Sequence, residues 1–218
     1  MKSVAIVCNG QFPRKEYPLY LLRNADVVVC CDGALQALEK RGIVPDIVTG
    51  DMDSVCGRAL KRFPGRVVRV SDQETNDLTK AFDLVMKEIA GPSREEEWSV
   101  HILAATGYRE DHTLGNLSLL MDYERRFRLS ERGIRVEIVS DYSTSLALSD
   151  SASLDVGQGR PVSLFTPDPT LRIHSEGLTW PLDEVVFDNW WKASLNRACE
   201  DRITLTLSHP APVLLILG

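Results

Sequence analysis

The chain has 218 residues, a net charge of −6 and 44% hydrophobic residues, a composition typical of soluble globular proteins with a sizeable core. The acidic balance argues against a nucleic-acid-binding surface, and no apolar stretch is long enough to span a membrane. Five cysteines without a C-x-x-C pair favour reduced thiols over a disulfide or zinc framework. The first apolar run meets Asn9-Gly10 too early for a secretory signal, so we expect a cytoplasmic protein.

The first two-thirds of the chain alternates short β-branched runs with amphipathic stretches. The runs predict strands at 3–8, 26–31, 46–49, 66–70, 100–104 and 134–139. The stretches between them predict helices at 18–23, 34–41, 55–63, 75–89 and 113–127, the last with Leu114, Leu117, Leu120 and Met121 on its buried side. This alternation predicts an α/β domain with a doubly wound, mostly parallel sheet.

The pattern changes after about residue 140, where short β runs are separated by turn-rich segments. These runs predict strands at 162–165, 171–173, 185–187, 203–207 and 213–217. Such spacing is typical of a small all-β sandwich or barrel. We therefore expect two domains, at 1–141 and 142–218.

Two carboxylates at spacing two, Asp51 and Asp53, follow the predicted strand 46–49. Gly50 ends the apolar run, so both acids lie on a tight turn at the carboxyl end of a strand. Mg²⁺ is a hard cation that takes a few carboxylates and completes its shell with water and phosphate oxygens. The alternative is an acidic turn that only caps the following helix.

Three other strand ends carry polar clusters, and ligands of doubly wound sheets bind beyond such ends. Asp32 follows the second strand, and Asp77 with Lys80 lies at the start of the helix 75–89. Arg109 lies in a loop after the strand 100–104, where a cation can neutralise phosphate charge. Helix caps and surface ion pairs are the alternative for each cluster.

Taken in order, the four clusters resemble the successive motifs of the thiamine pyrophosphokinase family, over essentially the whole chain. The matching segments are Asp32-Gly33-Ala34, Gly50-Asp51-Met52-Asp53-Ser54, Gln73-Glu74-Thr75-Asn76-Asp77 with Lys80, and Thr106-Gly107 with Arg109, Asp111-His112 and Asn116. Ala34 replaces the usual second glycine of its turn, a change that a small side chain should tolerate.

The resemblance implies Mg²⁺-dependent transfer of pyrophosphate from ATP to the hydroxyl of thiamine, giving thiamine diphosphate and AMP. It implies that the metal carboxylates are Asp51, Asp53 and Asp77. Around the nucleotide, the resemblance places Gln73, Thr75, Lys80, Thr106, Gly107 and Asn116. Near the reacting groups it implies Arg109 on the phosphates, with Asp32 and Asp111. Either carboxylate is a candidate proton acceptor, whereas a structural role is expected for His112 at its helix start.

The family also implies a homodimer, in which the second domain of the partner completes the thiamine site. Trp180 matches the aromatic residue that stacks on thiamine, and Ser194 with Asn196 is the nearest match to a Ser-Asn pair that also contacts thiamine in the family. Leu195 interrupts that pair, and a related acceptor or a rearranged pocket is the alternative. The alternative for Trp180 is that it is a buried core residue of the sandwich, with no contact to a ligand.

Two other functions fit parts of the sequence. The segment from Ile47 to Val55 also resembles the haloacid-dehalogenase signature, in which Asp51 would be the nucleophile of a phosphohydrolase. Gly50 interrupts that pattern. A nucleotide- or thiamine-binding module without turnover is the other alternative.

Overall fold

The computed structural model describes residues 1–53, 57, 61, 63, 65–72, 74–91 and 96–218. These residues form two compact units, one of Met1–Asn116 with Glu131–Asp141 and one of Leu117–Ser130 with Tyr142–Gly218. The division of functions between residues 1–141 and 142–218 stays a prediction. Across the described part of the chain, no helix combines the length and apolar character needed to cross a membrane.

The first unit is built on six strands that run parallel to their neighbours. They are β1 (Lys2–Val7), β2 (Val27–Cys31), β3 (Ile47–Gly50), β4 (Arg66–Arg69), β5 (Trp98–Leu103) and β6 (Ile134–Val139). Their order across the sheet is β6-β5-β1-β2-β3-β4. β2 is buried on both faces, which explains its continuous apolar sequence Val-Val-Val-Cys-Cys, and β5 is buried throughout although it includes Ser99 and His101. The predicted parallel sheet is confirmed.

Helices connect these strands: α1 (Glu16–Arg23), α2 (Leu35–Glu39), α3 (Asp77–Glu88) and α4 (Glu110–Phe127). The helix predicted at 55–63 falls largely outside the described residues. The burial predicted for Leu114 is wrong, because its side chain is 53% exposed. Leu114 lies about 120° around the helix from the buried Leu120, so the two side chains leave α4 on different faces.

The strand order places a topological switch point at the centre of the sheet. From β1 the chain moves outward through β2 and β3 to β4, and then returns to β5 on the other side of β1. The loops that follow β1 and β5 therefore leave the sheet side by side and diverge. Open α/β sheets bind ligands in the crevice at this point.

The second unit contains two antiparallel sheets. Its strands are β7 (Thr144–Leu148), β8 (Ala152–Asp155), β9 (Pro161–Phe165), β10 (Ile173–Glu176), β11 (Ala193–Arg197), β12 (Arg202–Leu207) and β13 (Val213–Leu217). One sheet has the order β11-β9-β13-β7 and the other β10-β12-β8. Fully buried side chains from both sheets share one core, including Leu164, Ile203 and Leu215. This arrangement confirms the predicted all-β second part.

Three details of the second unit differ from the prediction. Residues 185–187 form a loop rather than a strand, yet Phe187 is only 2% exposed and contributes to the core from that loop. The strand predicted at 171–173 begins at Ile173. The strands β7, β8 and β11 were not predicted, because serine, alanine and asparagine interrupt the apolar pattern of their sequences.

Candidate active site at the ends of the parallel strands

Asp32 fixes the acidic loop that follows β3. It is 1% exposed, and its carboxylate accepts hydrogen bonds from the backbone N–H groups of Gly33 at 2.6 Å and Met52 at 2.8 Å. Gly50 makes this approach possible, because a Cβ at that position would lie 2.6 Å from Cγ of Asp32. Burial raises the pKa of the Asp32 carboxyl, and the nearby charges of Asp77 and Asp51 act in the same direction.

The buried ammonium of Lys80 lies between two of the predicted metal carboxylates. Its Nζ is 3.4 Å from Oδ1 of Asp77 and 3.8 Å from Oδ2 of Asp51, and its side chain is 4% exposed. The N–H of Asp53 donates to Asp51 at 3.0 Å. This hydrogen bond, followed by the charge of Lys80, lowers the pKa of Asp51. The helix start of α3 and the loop after β3 thus bring two carboxylates to one cation.

Asp53 does not join this pair through its side chain, which is exposed to solvent. Within the ranges that the structure describes, no three histidine, cysteine or acidic side chains converge as a ligand set. A magnesium ion nevertheless needs only one or two protein carboxylates when phosphates supply the remaining oxygens. Asp51 and Asp77 therefore fit such an ion, with Asp53 adjacent in the same loop.

A chain of amide hydrogen bonds joins the start of α3 to the loop after β5. Asn76 caps α3 by accepting from the N–H of Thr79 at 2.9 Å. Its Nδ2 donates to Oδ1 of Asn116 at 3.1 Å, and Nδ2 of Asn116 donates to the carbonyl of Ala105 at 2.7 Å. Asn116, one of the predicted nucleotide residues, thereby fixes the spacing between two strand-end loops.

Arg109 and Asp111 form a bidentate ion pair at the start of α4. Nε of Arg109 donates to Oδ1 at 3.1 Å and Nη2 donates to Oδ2 at 2.5 Å. Both side chains are about two-thirds exposed, at 66% and 63%. The hydrogen bond from Arg109, with that from the N–H of His112, lowers the pKa of Asp111 to about 2. Asp111 is therefore a weak base that orients the guanidinium.

A cavity of about 370 Å³ opens at the switch point between β1 and β5. Four predicted site residues line it, namely Asp77, Gly107, Arg109 and Asn116. The cavity also includes Asn76 from the third motif, and residues outside the quoted motifs: Cys8, Asn9, Gly10, Cys31 and Tyr108. Asn9-Gly10 follows β1 just as the other clusters follow their strands, so the strand-end rule applied to β1 would have found it.

Three described residues of the predicted nucleotide set, Thr75, Lys80 and Thr106, do not line this cavity. The hydroxyl of Thr75 donates to the carboxylate of Asp72, so it stabilises the turn before α3. The carbonyl of Thr106 accepts from the N–H of Gln11 at 2.8 Å and joins the loops after β1 and β5. Gln73 lies outside the described residues. The roles of Thr75, Thr106 and Gln73 stay predictions.

The predicted thiamine residues lie in the second unit. Trp180 is 58% exposed, so the alternative that it is a core residue is wrong. Asn196 is 6% exposed and hydrogen-bonds to the backbone of Trp180. Ser194, on the same strand, is half-buried, and its N–H donates to the carbonyl of Trp191 at 2.9 Å. Leu195 between them is 86% exposed and has a left-handed φ of 61°.

Comparison with known proteins agrees with this two-part arrangement. Residues 19–130 match the family description "Thiamin pyrophosphokinase, catalytic domain", and residues 145–210 match "Thiamin pyrophosphokinase, substrate-binding domain". A rice protein (Oryza sativa subsp. japonica) named thiamine pyrophosphokinase 1 is 27% identical over 203 residues, which cover 82% of this chain and 73% of the relative.

Solved structures share the fold over nearly the whole chain. Thiamine pyrophosphokinase from Bacillus subtilis has a TM-score of 0.76 at 19% identity, covering 100% of this chain and 99% of the other. The yeast enzyme has a TM-score of 0.79 at 15% identity, covering 99% and 86%. Because the two family descriptions together match most of the sequence, from the strand-end clusters to the β-sandwich, this chain belongs to the thiamine pyrophosphokinase family.

Proposed function

We propose that this protein is a thiamine diphosphokinase, which transfers the pyrophosphoryl group of ATP to the hydroxyl of thiamine and releases AMP. The match of both family descriptions carries this proposal. The cavity at the switch point of the parallel sheet supports it, because such crevices receive nucleotides. We assign nucleotide binding and catalysis to residues 1–141, and thiamine binding and dimerisation to residues 142–218.

We propose that Asp51 and Asp77 hold Mg²⁺, with Asp53 contributing from the same loop. Their convergence on one ammonium, at 3.8 and 3.4 Å, supports this assignment because both carboxylates can face a single cation. When bound, Mg²⁺ neutralises charge on the phosphate oxygens. Asp32 holds the loop in place through two backbone N–H groups, so the carboxylates keep their positions before the metal arrives.

Arg109 binds the phosphates of ATP in this proposal. Its guanidinium already forms a bidentate pair with a carboxylate, and a phosphate presents two oxygens with similar spacing. Gly107 and Asn116 line the same cavity, where we assign Gly107 to contact with the nucleotide and Asn116 to holding the two loops of the nucleotide site together, with Lys80 beside the metal carboxylates. Binding there places the triphosphate next to Asp77, where the cation is held.

Removal of the proton from the thiamine hydroxyl needs little assistance from a general base. Asp111 has a pKa of about 2 and is a poor proton acceptor, and both oxygens of Asp32 already accept hydrogen bonds from the backbone. Phosphoryl transfer proceeds through a loose transition state that depends mainly on positioning and charge neutralisation. We therefore assign positioning roles to Asp32 and Asp111 and charge neutralisation to Arg109.

Thiamine is an aromatic cation, and an exposed tryptophan offers both stacking area and a negative ring face. The 58% exposure of Trp180 supports its assignment to thiamine binding. The family resemblance further supports a homodimer in which the second domain of one subunit serves the site of its partner. We also propose a cytoplasmic location, in keeping with the reduced cysteines expected from the sequence.

A product assay tests the reaction. Purified protein is incubated with ATP and Mg²⁺, with and without thiamine, and AMP, ADP and inorganic phosphate are separated. We expect AMP only in the presence of thiamine, in equal amount to thiamine diphosphate. Release of phosphate without AMP would identify a hydrolase instead, and unchanged ATP in the presence of thiamine would rule out the proposed acceptor.

A further inference from the structure

The segment that carries Trp180 is held against β11 by backbone hydrogen bonds. The N–H of Thr179 donates to the carbonyl of Arg197 at 2.8 Å, and the N–H of Cys199 donates to that of Gly177 at 2.9 Å. Gly177 has a φ of 77°, and a Cβ there would lie 2.3 Å from the carbonyl oxygen of Arg202. The turn before Trp180 therefore has little conformational freedom.

Asn196 completes this attachment at Trp180 itself. The N–H of Trp180 donates to Oδ1 of Asn196 at 3.2 Å, and Nδ2 of Asn196 donates to the carbonyl of Trp180 at 2.7 Å. Oδ1 also accepts from the N–H of Arg197 at 2.8 Å. Because a backbone N–H only donates and a carbonyl only accepts, these partners fix which end of the amide is oxygen.

Little of the amide of Asn196 remains for a ligand. Both of its polar atoms bind backbone groups, and the residue is 6% exposed. Trp180, in contrast, has its N–H and carbonyl bound to Asn196, while the residue as a whole is 58% exposed. The result is an aromatic face that is fixed at its backbone and open to solvent, and such preorganisation lowers the entropic cost of binding a flat ligand.

We propose that Asn196 is a positioning residue, which supports the binding of an aromatic cation by fixing the backbone of Trp180 rather than by contacting that ligand. This inference rests on the proposed function only in naming thiamine as the ligand. It differs from the resemblance, which places the asparagine in contact with thiamine.

A double-mutant cycle separates positioning from direct contact. We expect Asn196→Ala to raise the KM for thiamine about tenfold, with the KM for ATP unchanged, and Trp180→Ala to raise it at least as much. In the Trp180→Ala background, Asn196→Ala should add less than twofold. An equal tenfold effect in both backgrounds would mean direct contact and overturn the proposal. Asn24→Ala removes another amide bonded to a backbone carbonyl and should leave both constants unchanged.

Fluorine NMR of protein labelled with 5-fluorotryptophan gives a readout that needs no turnover. The signal of Trp180 is assigned by its loss in Trp180→Phe. We expect Asn196→Ala, and the milder Asn196→Ser, to shift or broaden that signal in the absence of thiamine, with the other three tryptophan signals unchanged as evidence of an intact fold. An unchanged Trp180 signal would overturn the positioning role. A changed signal with no thiamine-dependent AMP formation by wild-type protein would instead refute the proposed function alone.

Discussion

Substitution of Gly50 tests whether Asp32 anchors the acidic loop. In Gly50→Ala the new Cβ would meet Cγ of Asp32 at 2.6 Å and Oδ2 at 2.8 Å, whereas ordinary van der Waals contact begins at 3.4 Å. The Asp32 side chain is 1% exposed, so it has little free space into which to withdraw. A shift of roughly 0.8 Å would stretch its hydrogen bonds to the backbone of Gly33 and Met52.

The magnitude follows from two contributions. Alanine at a φ of 153° has a strain of about 1–3 kcal/mol. Loss of one hydrogen bond to a charged acceptor costs about 1.5–3 kcal/mol. We therefore expect Gly50→Ala to lower the free energy of unfolding by about 3–5 kcal/mol. We also expect turnover to fall at least tenfold, because Asp51 directly follows the substituted residue and its carboxylate would move with the loop.

The assay is urea denaturation followed by circular dichroism, together with AMP formation. Gly115→Ala is the matched control, since it lies inside α4 and, beyond the adjacent backbone of that helix, no described residue has an atom within 4 Å of the added Cβ. Alanine there should stabilise the protein by up to about 1 kcal/mol through helix propensity. If Gly50→Ala changes stability by less than about 1 kcal/mol, the contact with Asp32 does not hold the loop.

Three further substitutions test the site and the core of the first unit. Asp77→Asn should lower turnover at least 100-fold while circular dichroism stays unchanged, and the surface control Asp155→Asn should keep normal activity; near-normal activity of the first variant would refute its metal role. Arg109→Gln should lower kcat about 100-fold through lost phosphate neutralisation, whereas Arg202→Gln, which breaks a similar exposed bidentate pair, should leave kcat unchanged. Glu137→Gln should lower the free energy of unfolding at pH 7 by about 1.5–3 kcal/mol, because it removes the charged acceptor of a buried hydrogen bond with His101. Burial opposes ionisation of Glu137, yet the hydrogen bond from His101 and the charge of Arg135 give it a lowered pKa. Its stabilisation is therefore present above the usual glutamate pKa and lost as the pH falls through the lowered value, so the difference between wild type and variant in urea denaturation should shrink below about pH 4. A difference that stays constant from pH 7 to pH 3 would contradict this reasoning.

The parallel sheet was predictable from sequence because its signal is local. A strand buried on both faces is apolar at most positions, as the runs at β1 and β2 are, whereas Ser99 and His101 interrupt the start of β5, where the predicted run begins only at residue 100. In the second unit, strands such as β9, β10 and β12 bury only one face, so buried positions alternate with more exposed ones. β11 shows this limit, since its sequence Ala-Ser-Leu-Asn-Arg includes a bulge that places Leu195 outward.

The sequence predicts which residues belong to the candidate site, but not which of their side chains contact each other. The rule that ligands bind at the carboxyl ends of strands located the acidic loop and the loop of Arg109. It did not indicate that Lys80 would lie between Asp51 and Asp77, because helix spacing relates Lys80 only to its own neighbours. That contact depends on how α3 is placed against β3, which tertiary packing decides.

Asn196 illustrates the same limit from the opposite direction. The family resemblance associates Asn196 and Trp180 with the same ligand, which suggests that Asn196 contacts thiamine. Residue type alone cannot distinguish that role from support of the backbone. The distinction comes from counting partners: both polar atoms of the Asn196 amide already bind the protein, and the amide is buried. Asp32 is a parallel case in the first unit, since both of its oxygens accept backbone hydrogen bonds. In each unit, then, a buried polar side chain holds the backbone beside a more exposed group, Asp51 in one and Trp180 in the other. Replacing the buried member should therefore impair the exposed one without removing a contact to substrate, which is why the double-mutant cycle, rather than loss of activity alone, distinguishes the two roles.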